Sequence, residues 1–354
     1  MQRAELLDWL RQTDAARLEK LWQQADQTRQ QTVGGEVHLR GLVELSNYCM
    51  RLCAYCGLRA ENRTLQRYRM TADEILQCVQ QAVQYGYGTV VLQSGEDPGM
   101  TAPWMAGVIR RIKAETHLAV TLSLGERDPA ELAAWREAGA DRYLLRFETS
   151  NRRLYDRIHP PRPGVPSDRV ALLKMLGRLG FEVGSGVMIG IPGQTYDDLA
   201  DDLELFAALD LDMIGVGPYL AHPETPLGRG ELGAPTPAAE QVPGDELMTY
   251  KMIALTRLMC PRANIPSTTA LATLNLRNGR ELGLVRGANV IMPNLTPPRY
   301  RVLYEIYPNK ACIRETAGAC HVCTEGRIRS LGRTTGSGRG DSANYRARQL
   351  PTHP

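Results

Sequence analysis

The sequence has no long run of apolar residues and no strong excess of charge of one sign. No stretch approaches the roughly 18 apolar residues that a membrane-spanning helix needs. The first residues mix acidic and basic side chains and lack the apolar segment of a secretory signal. The formal net charge of +3 gives no indication of a nucleic-acid partner. We therefore expect a cytoplasmic protein that binds neither membranes nor nucleic acid.

Nothing in the composition indicates a disulfide-stabilised scaffold, although eight cysteines are present. In a cytoplasmic chain of 354 residues, cysteines in this number favour metal or redox chemistry. Hydrophobic residues make up 43% of the chain and charged residues 23%, as in ordinary globular proteins with a sizeable core. The length suits about two domains or one large α/β barrel.

Three of the cysteines lie close together near the beginning of the chain. Cys49, Cys53 and Cys56 have the spacing C-x3-C-x2-C. Three thiolates on one short loop can hold three corners of a [4Fe-4S] cluster and leave one iron open to a small chelating ligand. Tyr55, directly before the third cysteine, is well placed to lie beside a bound adenine. The motif resembles that of the radical S-adenosylmethionine (SAM) superfamily.

Two simpler interpretations of this loop compete with a cluster. A structural zinc ion would need a fourth ligand, and the nearest candidate in the sequence is His38 on the preceding strand. A redox disulfide would leave one of the three thiols unpaired. We therefore favour the cluster.

The hydrophobic pattern predicts an α/β fold. Residues 3–31 repeat apolar positions at helical spacing, which predicts one or two amphipathic helices that cap a barrel. A first strand over 37–45 delivers the cysteine loop, and strand and helix patterns alternate after it, which favours parallel βα units. Eight strands predict a complete (βα)8 TIM-type barrel with its catalytic groups at the C-terminal strand ends. The other strand candidates are 89–92, 119–124, 142–147, 182–191, 213–217, 264–269 and 289–292, and the helix candidates are 71–86, 102–115, 129–139, 167–180, 195–209, 245–260 and 279–286.

Several predicted strands end in polar residues that a purely structural barrel would not need. The segment 93–97 contains acids that could accept the ammonium group of an amino acid. Thr121 and Ser123 lie two residues apart, as do Arg146 and Glu148, so each pair shares one face of its strand. We interpret these groups together as a site on the rim of the barrel. The long loop 221–244 is a candidate lid over this site.

A second cysteine group follows the last predicted strand. Cys312, Cys320 and Cys323 have the spacing C-x7-C-x2-C and could bind a second iron–sulfur cluster, [4Fe-4S] or [2Fe-2S], or a zinc ion with His321 as fourth ligand. We favour the iron–sulfur cluster, in an accessory role outside the barrel. The predicted segments are an N-terminal helical extension (1–34), the barrel (35–310), an accessory cluster segment (311–325) and a disordered Arg/Gly/Ser/Thr-rich tail (326–354).

Beyond the cysteine motif, residues 35–325 resemble the HydE family of [FeFe]-hydrogenase maturases. Biotin synthase and methylornithine synthase are related alternatives, and the second cysteine group favours HydE over both. The matching stretches are SNYCMRLCAYCGLR, RYRMT, VVLQSGEDP, VTLSLGE, AGADRYLLRFET, MIGIPGQTYDDL, DMIGVGP, NIPSTTA, GANVIMPN and YEIYPNKAC.

The resemblance implies two pockets in the barrel. In the first, SAM chelates the open iron, and in the second, an anionic, sulfur-containing, amino-acid-like ligand binds lower in the barrel. A departure from the family pattern is Phe147, where a more polar residue such as His is expected. By matching position, the SAM contacts are Tyr55, Ser123, Glu148, Arg169 and Met213, and the substrate contacts are Gln93, Thr121, Arg146, Thr268, Thr269 and Tyr304.

The resemblance also implies a function in assembling the di-iron subsite of the hydrogenase H-cluster. A low-potential donor reduces the cluster, SAM is cleaved to a 5′-deoxyadenosyl radical, and the radical acts on a cysteine-containing iron precursor that carries carbon monoxide and cyanide. Other maturases supply the precursor and the scaffold. The alternative of another class is a non-catalytic metal-binding interaction protein in which both cysteine groups are structural.

Overall fold

The computed structural model describes residues 1–232 and 236–349, and its centre is a seven-stranded parallel sheet. The strand order is β6-β5-β4-β3-β2-β1-β7, so consecutive strands from β1 to β6 are neighbours, as expected for βα units. The strands are β1 (His38–Ser46), β2 (Thr89–Ser94), β3 (Ala119–Ser123), β4 (Arg142–Leu144), β5 (Glu182–Ile189), β6 (Met213–Pro218) and β7 (Val290–Ile291).

Helices connect these strands and extend the fold at both ends. Local sequence sets where several of them begin: Thr71 and Glu74 form a reciprocal capping box at one helix, and Thr195 and Asp198 form the same arrangement at another. The helices are α1 (Arg3–Arg11), α2 (Ala15–Val33), α3 (Ala72–Gln84), α4 (Ala102–Glu115), α5 (Pro129–Glu137), α6 (Arg152–Ile158), α7 (Arg169–Arg178), α8 (Tyr196–Ala208), α9 (Glu246–Met259), α10 (Thr269–Leu274), α11 (Gly279–Leu284), α12 (Pro298–Arg301), α13 (Ala317–Ser330) and α14 (Ala343–Gln349).

The eighth predicted strand, at 264–269, is not a strand of this sheet in the described part of the chain. The segment forms only isolated parallel bridges, from Asn264 to Met213 on one side and from Pro266 to Val290 on the other. Pro266 has no N–H to donate to a ladder, and Thr268 already caps α10 by accepting a hydrogen bond from the backbone of Leu271. The sequence pattern therefore overstated the length of regular strand here.

The N-terminal helices pack against the outer helices α8 and α9. Lys251 of α9 is buried and donates to the carbonyl of Leu10, while Arg3 binds Asp197 and Asp201 on α8. Within the described ranges, no helix is both long and apolar enough to cross a membrane.

The C-terminal segment differs from the disordered tail expected for 326–354, because residues 326–349 are ordered. After α13 the chain pairs with β1 through a parallel bridge between Thr335 and Val37, crosses the N-terminal ends of the strands and ends in α14. Its charges find fixed partners there: Asp341 pairs with the buried Arg142, and Arg348 lies 2.5 Å from Asp212. Specific ion pairing orders a segment whose composition alone is typical of disorder, and residues 350–354 lie outside the described part.

Candidate active site

The loop between β1 and α3 brings the first three cysteines to one cavity at the C-terminal ends of the strands. Cys49, Cys53 and Cys56 all line this cavity, which we call the upper chamber and which measures about 280 Å³. Backbone bonds to other elements fix the loop: Met50 N–H donates to the carbonyl of Glu96, and Ala54 N–H donates to the carbonyl of Ile158 at 2.7 Å. The predicted convergence of the three thiols is therefore present in the fold.

The three thiols do not form a compact site for a single metal ion. Four sulfurs around a zinc ion at about 2.3 Å would lie about 4 Å from one another. In the described part of the chain, the sulfurs of Cys49, Cys53 and Cys56 do not form a group with all ligand atoms within 4.8 Å. Burial raises the pKa of Cys56 to about 12 and also raises the pKa of the other two, so a metal group must displace their protons. The donor set fits a [4Fe-4S] cluster.

No histidine completes a zinc site at this loop within the described residues. His38, the candidate nearest in sequence, lies at the start of β1, at the opposite end of the strand from the loop. His159 does line the upper chamber, but its Nε2 lies 2.6 Å from a guanidinium nitrogen of Arg169. Burial, followed by the charge of Arg169, lowers the pKa of His159 to about 2, so its ring is neutral and accepts this hydrogen bond.

Four of the five predicted SAM contacts line the upper chamber. Tyr55, Ser123, Glu148 and Arg169 lie there together with the cysteines. The backbone of Glu148 has a φ of 64°, a left-handed conformation that is uncommon for glutamate. Hydrogen bonds with Gly186 and Met188 hold it in place. Strain held in this way at a cavity wall is typical of a binding site.

Met213, the fifth predicted SAM contact, lies elsewhere. It begins β6 and lines a deeper cavity, where its sulfur lies 2.9 Å from a guanidinium nitrogen of Arg40. Its depth in the barrel depends on the register of β6 against β5, in which Met213 pairs with Gly184, and its contact with SAM stays a prediction.

Arg169 belongs to a buried network of charges beneath the cysteine loop. Its Nε lies 2.9 Å from Glu126, whose other oxygen lies 2.6 Å from Arg51. Arg51, from the cysteine loop itself, also lies 2.5 Å from Glu96. Two guanidinium groups thus balance two carboxylates. Burial alone would raise the pKa of Glu126, but the charges of Arg169 and Arg51 and the Ser167 hydroxyl lower it.

Sequence reasoning missed most of this network. The acids of segment 93–97 were expected to accept an ammonium group, but Glu96 binds Arg51 and Asp97 binds Arg69 at 2.7 Å. The four members lie on separate loops and on α7, so no local spacing relates them. A basic residue inside the cysteine motif was the only sequence indication that a buried acid would be needed nearby.

A second cavity, the lower chamber, continues from the upper one towards the barrel interior and measures about 190 Å³. Both cavities are lined by Gln93, Ser123 and Arg146, which makes them adjoining parts of one internal space. The strand register explains part of this wall, because Glu44 on β1 is the register partner of Gln93 on β2, and Gln93 is the register partner of Ser123 on β3. Much of the remaining wall is apolar, including Leu42 and Met213.

The predicted substrate residues are distributed over this space with one exception. Gln93, Arg146, Thr268 and Thr269 line the lower chamber, while Tyr304 lines the upper one and its hydroxyl lies 3.3 Å from Nε2 of Gln93. Thr121 lines neither chamber, although it is buried on β3 and its hydroxyl has no partner among the described residues.

Phe147, the expected departure from the family pattern, does not line either chamber. It is buried and packs against Phe206, with ring centroids 5.5 Å apart. The lower chamber instead contains polar residues that sequence reasoning did not select. Lys310 lies 2.7 Å from Glu44 in a buried ion pair, and Arg280 lines the chamber near them.

The second cysteine group lies against the lower chamber. Cys312 and Cys320 line it, and all three cysteines line an outer groove on the other side. The accessory role of this segment outside the barrel stays a prediction. A hydrogen bond from Cys312 lowers the pKa of Cys320, and the charge of Arg280 acts in the same direction. Cys320 is buried, Cys312 half-buried and Cys323 exposed, and thiols that converge beside a cationic residue are suited to binding a metal group.

His321 does not complete a zinc site with these cysteines. Its ring stacks on Tyr85, with centroids 4.5 Å apart, and its Nδ1 lies 3.2 Å from the hydroxyl of Tyr87. Within the described residues, neither His321 nor the three cysteines form a group with all ligand atoms within 4.8 Å. In the described part of the chain, His321 therefore does not lie in a compact zinc site with these cysteines.

The long loop 221–244 lies over the cysteine loop in its described part. Leu227 N–H donates to the carbonyl of Ala54, and Leu227 packs in an apolar cluster that Tyr55 contacts. Residues 233–235 lie outside the described part. The role of this loop as a lid stays a prediction.

Comparison with known proteins agrees with this geometry. The radical SAM superfamily matches residues 43–206. Over 318 residues, the chain is 47% identical to the [FeFe] hydrogenase maturase subunit HydE of Thermotoga maritima, covering 90% of this chain and 87% of that protein. It is 27% identical over 276 residues to 3-methylornithine synthase of Methanosarcina acetivorans, covering 77% of this chain and 74% of that protein.

Solved structures share the architecture. Methylornithine synthase (PylB) superposes with a TM-score of 0.79 at 25% identity, covering 98% of this chain and 96% of that one. The hydrogenase maturase HydG has the same fold, with a TM-score of 0.74 at 19% identity over 94% of this chain and 71% of that one. The fold and the three-cysteine chamber thus define a radical SAM enzyme. Within that class, the chain belongs to the HydE family of [FeFe]-hydrogenase maturases.

Proposed function

We propose that this enzyme cleaves SAM reductively and acts in assembling the di-iron subsite of the [FeFe]-hydrogenase H-cluster, on a cysteine-containing iron precursor that carries carbon monoxide and cyanide. The observation that carries the proposal is the pair of adjoining chambers, one lined by three cysteines and one lined by two arginines, threonines and apolar side chains. This pairing suits a cofactor above and a small anionic substrate below. The identity of the precursor comes from the family alone.

In the upper chamber, Cys49, Cys53 and Cys56 would hold a [4Fe-4S] cluster. With that cluster, SAM reduced by one electron would break its C5′–S bond and supply methionine and a 5′-deoxyadenosyl radical. The chain's own contribution is to bind, to orient and to exclude water. Tyr55 would lie beside the adenine, and the carboxylate of Glu148 suits the ammonium or ribose hydroxyls.

The proposed role of Arg169 is not limited to pairing with the carboxylate of SAM. Its guanidinium already bonds Glu126, His159 and the carbonyl of Arg146. We propose that it sets the charge of the chamber wall and fixes that carbonyl, while its chamber-facing side attracts the carboxylate. Ser123, at the boundary of the two chambers, would contact both ligands.

In the lower chamber, Arg146 would bind the carboxylate of the amino-acid part of the substrate, since a guanidinium matches two oxygens. Gln93, Tyr304, Thr268 and Thr269 would supply neutral hydrogen bonds. Met213 belongs to the apolar wall of this chamber. Thr121 would make no direct contact with the substrate, because it lines neither cavity.

The remaining segments of the chain also have proposed roles. We propose that 264–266 occupies the eighth position of a complete barrel, since it bridges β6 on one side and β7 on the other. The assignment of 1–34 as an extension and 35–310 as the barrel is also a proposal. Cys312, Cys320 and Cys323 would hold a second iron–sulfur cluster in segment 311–325. A low-potential electron donor and other maturases would be the partners.

Anaerobic reconstitution with iron and sulfide, followed by an assay for 5′-deoxyadenosine under strong reductant, tests the enzyme class. Formation of 5′-deoxyadenosine is expected and should stop when Cys53 is replaced by alanine but not when the buried Cys78 is replaced. An iron-loaded protein that never cleaves SAM would favour a non-catalytic metal-binding protein. Deleting the protein should abolish active [FeFe]-hydrogenase and leave biotin synthesis intact, and the opposite result would favour a biotin synthase or methylornithine synthase activity.

A further inference from the structure

Arg280 lies on the wall between the lower chamber and the outer groove over the second cysteine group. The two cavities share Arg280, Ala311, Cys312 and Cys320 as lining residues. The Arg280 side chain is 8% exposed, and its Nη1 is buried with no hydrogen-bond partner among the described residues. A buried N–H of a charged group without an acceptor is costly, so this nitrogen indicates an acceptor that is supplied by a ligand.

The fold fixes Arg280 in this position. It lies in the short helix α11, where Gly279 leaves no room for a side chain, because a Cβ there would lie 2.9 Å from the carbonyl of Leu271. The backbone carbonyl of Arg280 also accepts a hydrogen bond from the hydroxyl of Ser267. The guanidinium is therefore presented to the wall by a constrained backbone.

Nearby acids already have other partners. Glu281, the next residue, lies 2.6 Å from Arg327, and Glu44 of the lower chamber lies 2.7 Å from Lys310. An internal salt bridge therefore does not account for Arg280 in the described part of the chain. An anionic group with several acceptor atoms, placed against Cys312 and Cys320, would satisfy it.

We propose that Arg280 is a positioning residue for the iron–sulfur group of the second cysteine site, to whose sulfur atoms it donates hydrogen bonds. This inference rests on the proposed second cluster. Hydrogen bonds to cluster sulfurs and nearby positive charge both favour the reduced state and raise the reduction potential. Because Arg280 also faces the lower chamber, it places the accessory site in electrostatic contact with that chamber.

The test uses the full chain with Cys49, Cys53 and Cys56 replaced by alanine, so that the second site alone can carry a cluster. After anaerobic reconstitution, iron content is measured, and a redox titration followed by electron paramagnetic resonance gives the midpoint potential. Arg280→Met should bind the same iron and titrate at a more negative potential than this parent. Arg277→Met, at an exposed arginine three residues away, is the matched control and should leave the potential unchanged.

A second measurement separates hydrogen bonding from charge. The parent should show an exchangeable proton coupled to the reduced cluster in electron–nuclear double resonance, and Arg280→Met should lose it. Arg280→Lys should recover part of the potential. If Arg280→Met assembles no cluster, Arg280→Gln, which keeps donors without the charge, must still titrate below the parent.

The outcomes are distinguishable. If the clusters of the parent and of Arg280→Met titrate at the same potential, the inference is overturned and the proposed second cluster stands. This holds even if Arg280→Met binds small carboxylates more weakly in the chamber. A parent that binds no iron at the second site overturns the proposed cluster and this inference with it, and SAM cleavage by the intact chain is decided separately.

Discussion

Replacing Arg169 by methionine removes one of two positive charges that balance two buried carboxylates beneath the cysteine loop. Arg51 and Arg169 face Glu96 and Glu126, and the four side chains are all less than a tenth exposed. Without Arg169, Arg51 alone must balance both carboxylates. The variant therefore retains a net buried negative charge next to three cysteines that must become thiolates.

The expected cost can be worked from this imbalance. Removing one partner of a buried ion pair typically costs about 3–5 kcal/mol, because the charge left behind stays out of water. The free energy of unfolding of the metal-free protein should fall by about that amount in Arg169→Met. Adding Glu126→Gln restores one cation to one carboxylate. The double variant should therefore recover part of the stability while SAM cleavage stays low.

Chemical denaturation of the metal-free protein, followed by circular dichroism, measures the free energy of unfolding of the single and the double variant. The formation of 5′-deoxyadenosine reports on SAM cleavage by the reconstituted enzyme. The matched control is Arg178→Met, an exposed arginine on the same helix, which should change neither. The reasoning is refuted if Arg169→Met is as stable as Arg178→Met. It is also refuted if the Arg169 and Glu126 substitutions destabilise additively, since independent effects would mean that the two charges do not balance each other.

Three further outcomes are expected. Burial raises the pKa of Asp202 to about 8, so this carboxyl favours folding below its unfolded pKa near 4 and loses that contribution as pH rises to 8. The free energy of unfolding should therefore fall between pH 4 and pH 8 in the parent and fall less steeply in Asp202→Asn. Equal slopes in the two proteins would contradict the account. Arg348→Ala removes the ion-pair partner of the fully buried Asp212, which keeps its hydrogen bonds from Val183 N–H and the Ser342 hydroxyl, and should cost about 1–3 kcal/mol, whereas Arg346→Ala, exposed on the same helix, should cost little. Gly57→Ala places a Cβ 2.3 Å from a backbone carbonyl beside the cysteine loop and should lower iron uptake, unlike Gly107→Ala, whose Cβ meets nothing within 4 Å; equal uptake would show that the loop can adapt.

The parts of the fold that repeat locally were predictable from the sequence. Alternating strand and helix patterns identified the parallel sheet, and the helix candidate 195–209 corresponds to α8, because these features depend on neighbours within a few residues. The length of regular strand at 264–269 was overestimated, because the hydrophobic pattern does not show that Pro266 and the cap at Thr268 end strand pairing.

Features that depend on distant partners were not predictable in the same way. The order of residues 326–349 comes from partners such as Arg142 and Asp212, far away in the sequence. The depth of Met213 depends on strand register, and the network around Arg51 joins separate loops. By contrast, the cysteine loop could be interpreted directly, because all three thiols lie within eight consecutive residues.

The most direct test of the central claim is electron–nuclear double resonance on the reduced enzyme with SAM labelled at its amino nitrogen and carboxylate oxygen. The three cysteines of the second group are replaced by alanine, so that one cluster remains. The account predicts hyperfine coupling of both labels to a single iron of the cluster held by Cys49, Cys53 and Cys56. A cluster whose fourth iron is bound by a protein side chain, with no coupling to either label, would contradict it.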